Sequence, residues 1–112
     1  MIYYLRYVNV LKGLQKEDAT ADLEPVCALI LDEIAVRELH DEPMTVSNLM
    51  ELTNLASPAT LHRKFSDMLK NEWVESRFEN DNRRTKYIHL TKKSKNYYEL
   101  KGKAMKKAFK LT

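Results

Sequence analysis

Two groups of residues, mostly with hydrogen-bonding side chains, stand out in the second half of this 112-residue chain. One is Ser57, Ala59, Thr60, His62, Arg63 and Lys64; the other is Arg83, Arg84, Thr85 and Lys86. Arginine offers a planar fork of N–H donors, so Arg63 can bond two acceptors on one guanine. Thr60 and His62 can meet bases or phosphates, and Ser57 with the free N–H groups of a helix start suits a phosphate oxygen. Arg83, Arg84, Thr85 and Lys86 suit backbone charge or a narrow minor groove. The plain alternative for each is an exposed surface residue. Covalent chemistry has no comparable set. No glycine-rich phosphate loop, nucleophile–base pairing or credible carboxylate pair is present. His40, His62 and His89 are scattered, without a carboxylate or thiolate at metal spacing. The expectation is no enzyme, no metal and no cofactor.

The elements that must position these residues can be read around them. A helix over 58–71 starts with Ser57 as N-cap and Pro58 at its first position, where the missing N–H costs nothing. Leu61, Phe65, Met68 and Leu69 form its inward stripe, and Thr60, His62, Arg63, Lys64 and Asp67 its wet face. Trp73 and Val74 then open a hairpin over 75–90, with a tip at Asn80-Asp81-Asn82 and a return through Lys86 to Leu90. Ahead of the helix, Ser47 reads as the N-cap of a short helix from Asn48 to Leu55, with Leu49, Leu52 and Leu55 facing inward. Met44-Thr45-Val46 reads as one short strand. Two short helices joined by the turn 53–56 make a helix-turn-helix unit.

The outer segments read as helices. Residues 2–14 place Tyr4, Tyr7, Val8, Leu11 and Leu14 on one face, and a turn or loop follows from Gln15 to Asp22. A second helix begins between Asp22 and Pro25 and ends near His40, with Val26, Leu29, Ile30, Ile34, Val36 and Leu39 as its apolar positions. Cys27 lies among them and reads as a buried structural thiol. From Lys92 to Lys110, lysines alternate with Tyr97, Tyr98, Leu100, Ala104, Met105, Ala108 and Phe109, an amphipathic helix expected to pack on Tyr3, Tyr4, Tyr7 and Leu11 of the first, in the same or a second subunit. A membrane-surface role is the other use of such a basic helix.

Composition bounds the class. Hydrophobic residues make up 44% and charged residues 31%, an ordinary soluble balance, and two glycines with three prolines leave little for a many-turned β fold. A single cysteine excludes an intrachain disulfide and a CxxC metal site. No apolar run approaches the ~20 residues that span a bilayer, and the start lacks the basic region and cleavage site of a signal peptide. The expected location is cytoplasmic, with the nucleoid as the site of action. The net charge of +3 conceals an asymmetry: residues 1–56 carry −6 and residues 57–112 carry +9. A basic half of that size suits a polyanion, although a solvated lysine-rich tail would carry the same charge.

From Met44 to Ser94 the chain resembles the winged-helix core of the multiple-antibiotic-resistance regulator (MarR) family of transcription factors. The matching pieces are TVSNLMEL, LASPATLHRKFSDML, WVESR and NDNRRTKYIHLT, with Asn82, Arg84, Leu90 and Thr91 on the family's wing pattern. Asn82 replaces the usual aspartate, and Asn71-Glu72 replaces a usual glycine, where Asn71 is expected to take the left-handed turn. The resemblance implies a wing arginine, Arg84, directed at the minor groove or backbone. The expected fold is mainly α with a small antiparallel β-wing, an α+β winged helix-turn-helix in one domain over 1–112. Its parts are an N-terminal helix and loop over 1–22, the core over 23–91 and a C-terminal helix over 92–112. The expected function is sequence-specific binding of double-stranded DNA by a regulator, a repressor, homodimeric through its N- and C-terminal helices. The sequence does not identify a small-molecule effector. The rival readings are a protein-interaction module and a sequence-neutral DNA-packaging protein.

Overall fold

The structure, a computed structural model, describes residues 1–15, 23–79 and 82–110. The expected loop over 16–22 and the hairpin tip at Asn80 and Asp81 lie outside the described residues. The elements in order are α1 (Ile2–Gln15), α2 (Pro25–Leu39), β1 (Met44–Thr45), α3 (Val46–Met50), α4 (Pro58–Lys70), β2 (Val74–Glu79), β3 (Asn82–Leu90) and α5 (Lys92–Lys110). The chain is mainly helical with a small antiparallel sheet of order β1-β3-β2, an α+β architecture. It forms two compact units, one of residues 24–91 and one joining the two ends of the chain.

In the unit of residues 24–91, α2 packs on β3 and β1, α3 on β1 and β3, and α4 on β2. Ile30, Leu31 and Ile34 of α2 and Leu61 of α4 are fully buried, as is Ile88 on the central strand. Ile88 pairs with Met44 on one side and Ser76 on the other, so the middle of β3 is held from both edges. A register irregularity between Phe78 and Glu79 breaks the ladder near its open end.

Three local expectations change. The short helix α3 starts at Val46 rather than Asn48, because Thr45 caps it instead of Ser47. Thr45 Oγ1 accepts from the Asn48 N–H at 3.1 Å, and Asn48 Oδ1 accepts from the Thr45 N–H at 3.1 Å. This reciprocal box satisfies two free donors at once, which a cap at Ser47 with Met50 at the third position does not. The helix also ends at Met50, and Leu52–Leu55 form a turn closed by the Leu55 N–H on the Leu52 carbonyl. On α2, Leu29, Val36 and Leu39 are exposed, Leu39 by 80%, and Cys27 and Leu31 take their place in the buried stripe. The helix carries more apolar residues than its one buried face can hold. On α4, Leu69 is 37% exposed, while Met68 beside it is buried.

The end of α4 shows the third change. Glu72, not Asn71, has the left-handed backbone, with φ of 61°. The Trp73 N–H reaches the Met68 carbonyl at 2.9 Å and the Glu72 N–H the Leu69 carbonyl at 3.2 Å. Those two bonds make a Schellman closure, which requires the left-handed residue one position after the cap. Thr91 Oγ1 donates to the Glu72 carbonyl at 2.6 Å and holds the turn from the base of the hairpin, just after β3.

In the other unit, α1 and α5 pack together, and the Tyr3 and Phe109 rings lie 6.2 Å apart, so the start of α1 meets the end of α5. Tyr97 is buried, edge-on to Tyr98 at 5.3 Å, with Lys101 Nζ 4.7 Å from its ring centre. Ile2, Tyr4, Leu5, Met105 and Phe109 stay exposed.

A side chain with a Cβ in the left-handed region costs roughly 1 kcal/mol, part of which glycine returns as unfolded-state entropy. Glu72→Gly is therefore expected to raise stability by about 0.5–1 kcal/mol in urea unfolding. A loss of stability would mean that the Glu72 side chain contributes more than its backbone strain costs.

Candidate functional site

The orientation of α4 follows from its two ends and its apolar stripe. Ser57 Oγ accepts from the Thr60 N–H at 3.3 Å and donates to Thr60 Oγ1 at 3.0 Å. Leu61, Phe65 and Met68 face inward. The opposite surface then consists of Ala59, His62, Arg63, Ser66, Asp67 and Lys70, all exposed. Their spacing of three and four residues makes them one continuous strip. Among the described residues, none of the polar side chains on this strip makes a hydrogen bond or ion pair.

The sequence-derived set divides against this geometry. Ala59, His62 and Arg63 lie on the strip. Thr60 is half-buried and engaged with Ser57, so both hydroxyls serve the helix start. The Lys64 side chain is only 14% exposed and its ammonium pairs with Glu24, immediately ahead of α2. That ion pair ties α4 to the start of α2. Ser66 and Lys70 join the strip beyond the sequence-derived set, and so does Asp67 of the expected wet face. Their signal was available in the helical phase opposite Leu61, Phe65 and Met68.

The second group stands on the hairpin. Arg83, Arg84 and Lys86 are exposed and Thr85 is half-buried. Lys86 faces Phe78 across the ladder, with its ammonium 5.4 Å from the ring centre. Arg83 to Lys86 and Phe78 form one wall of an open hollow of about 420 Å³, and Thr45, Val46 and Ser47 at the start of α3 form the other. Since α3 also packs on α4, the two basic groups flank the same short helix.

The hairpin is held to α2 by a carboxylate. Glu38 Oε1 lies 2.8 Å from His89 Nδ1, and Oε2 accepts from the Leu90 N–H at 3.3 Å. His89 is 6% exposed. Its Nε2 is 2.8 Å from Glu79 Oε1, yet lacks hydrogen-bond alignment there. The atoms are close, but the alignment needed for a hydrogen bond is absent. The two ring nitrogens point apart, so the three side chains cannot converge on one ion. Among the described residues, no group of three His, Cys, Asp or Glu side chains is placed to hold a metal. Cys27 is buried, and its thiol is pushed above the ordinary value first by that burial and then by Glu24, with Lys64 opposing and Asp67 of α4 adding a smaller upward push. No described helix is long and apolar enough to cross a membrane.

Removing the Glu38 carboxylate leaves a buried imidazole N–H or lone pair and the Leu90 N–H without their partner. Each orphaned group costs about 1–3 kcal/mol. Glu38→Ala is expected to lower unfolding stability by about that much, with Glu38→Gln between it and the parent. Equal stability of all three proteins in urea would show that solvent replaces the carboxylate.

No family model matches the sequence, and no curated protein matches it. Among solved structures, the chain is similar to the crystal structure of RV1404 from Mycobacterium tuberculosis, with a TM-score of 0.63 and 14% sequence identity. The likeness covers 91% of this chain and 65% of that one, so the chain spans just under two thirds of its length. At this identity the likeness speaks to the fold alone.

Proposed function

We propose that this protein is a winged helix-turn-helix regulator of the MarR type that binds double-stranded DNA in a sequence-specific way and acts as a repressor. One observation carries the reading: the unpartnered strip of α4 with Arg63 at its centre, beside a hairpin bearing Arg83, Arg84 and Lys86 across α3. In this reading α4 enters the major groove, where Arg63 takes the two acceptors of a guanine. The hairpin lies on the backbone or in the minor groove, where cations meet phosphate or narrow-groove potential. Ala59 is small enough to let the helix approach a base edge or a thymine methyl.

The exposed apolar residues of the α1–α5 unit, Ile2, Leu5, Met105 and Phe109, support a homodimer through those helices. Two copies would then present two α4 strips to half-sites one turn of DNA apart, ~34 Å. The working location would be the nucleoid. An effector, if one acts, is of unassigned chemistry. A protein-docking role is the second reading, favoured by Leu29, Val36 and Leu39 exposed along α2.

Fluorescence anisotropy with duplex DNA across a salt series tests the first reading. Arg63→Ala is expected to weaken the preferred duplex by about 1–3 kcal/mol and to relax preference at one base pair. Arg84→Ala is expected to weaken all duplexes alike and reduce the salt slope by about one. Absence of binding to any duplex at low salt would overturn the DNA reading and favour the docking role. Equal binding to all duplexes would leave a sequence-neutral packaging protein.

Sedimentation at micromolar concentration tests the dimer. The parent is expected to sediment as a dimer and Leu5→Glu with Met105→Glu as a monomer. A monomeric parent would remove the two-half-site geometry.

A further inference from the structure

Asp67 stands one helical turn beyond Arg63 on the exposed strip of α4. Arg and Asp four residues apart on a helix are close enough to pair with each other. Here neither side chain has a hydrogen bond or ion pair among the described residues and both are exposed, with the Asp67 carboxylate also within electrostatic reach of the buried Cys27 thiol on α2. Relative to the buried stripe of Leu61, Phe65 and Met68, Arg63 points nearly opposite, with Ser66 and Asp67 to either side of that line.

A carboxylate on a DNA-facing strip has restricted choices. Phosphates repel it, and guanine N7 and O6 and thymine O4 are acceptors that cannot donate to it. Desolvated against any of these, it would be a charge without a partner. Only an exocyclic amino group offers the required N–H, and cytosine N4 is the donor a carboxylate takes most directly. Asp67 would therefore reject guanine and thymine edges and favour cytosine over adenine, whose N7 acceptor lies beside its amino group, which is how discrimination arises from repulsion as well as attraction. The helix advances about 5.4 Å per turn and the duplex about 3.4 Å per base pair, so the two residues address base pairs one or two steps apart.

We propose that Asp67 is a specificity-determining residue of this protein, selecting a cytosine amino group one or two base pairs from the guanine read by Arg63. The inference rests on the DNA-binding reading of the same strip. It differs from that reading in assigning sequence preference to an acidic side chain rather than to the cations.

Selection from a random duplex pool, with the parent, Asp67→Asn and Asp67→Ala, tests it. Asp67 is exposed and makes no hydrogen bond or ion pair among the described residues, and circular dichroism would verify that both variants keep the parent fold. The parent is expected to enrich guanine and, one or two pairs away, cytosine. Measured on that site, changing the cytosine pair should weaken parent binding at least about fivefold. Asp67→Asn should move the preference at that pair to adenine, because a carboxamide both accepts and donates and so matches adenine N6 and N7. Asp67→Ala should lose preference there and keep the guanine. A uniform gain in affinity for every duplex, with the enriched sequence unchanged in both variants, would mean that Asp67 acts only through its charge and would overturn the proposal. Enrichment of no sequence by the parent would instead overturn the sequence-specific reading and the Asp67 proposal with it.

Discussion

The rotation of α4 about its own axis is the constraint on which the rest of the candidate site depends. Burial of Leu61, Phe65 and Met68 fixes that rotation, since each large apolar side chain removed from water contributes about 1.5–3 kcal/mol. Once those three face inward, helical geometry leaves Ala59, Arg63, Ser66 and Lys70 on the opposite side, whatever their chemistry. The ends support the same orientation. Ser57 closes the free donors at the start, and the Schellman turn through Glu72 closes the free carbonyls at the finish.

Polar ties then hold α4 and the hairpin to α2 at separate places. Lys64 pairs with Glu24 at one end of α2, and Glu38 near the other end reaches His89 and the Leu90 N–H. The two ties differ in kind. Glu24 is half exposed, so its pair with Lys64 is screened and contributes on the scale of a surface ion pair, about 0–1 kcal/mol. Glu38 serves a buried imidazole and a strand-end N–H, where the cost of an unmet partner is larger. The hairpin is thus anchored at its base, while Arg83 and Arg84 toward its far end remain exposed.

The charge asymmetry acquires a spatial meaning from these ties. The acidic first half of the chain supplies Glu24 and Glu38, which engage Lys64 and His89 of the basic second half. Those contacts remove one cation from the exposed surface and leave Arg63, Lys70 and Arg83 outside them. Count of basic residues alone therefore overstates what α4 can offer to a polyanion, and position corrects it.

Much of the architecture was legible in the residues themselves. Ser57-Pro58 marks the start of α4, Pro25 marks the start of α2, and the lysine-flanked stripe marks α5, because caps and periodicity are local physics. Where two local signals competed, the reading failed. Thr45 and Ser47 are both good caps, and only the reciprocal bond with Asn48 selects the first. Leu29, Val36 and Leu39 looked like core because apolar residues on a rich helix do not say which face has a neighbour. The partners of Lys64 and His89 lie 40 and 51 residues away in the chain, beyond any spacing rule. The presence of α2, α4 and α5 and the charge asymmetry were determined by sequence alone, since each depends on composition or on groups within one or two turns. Which cations face outward was decided only by tertiary packing, because the partner that takes up the Lys64 ammonium lies 40 residues away in the chain.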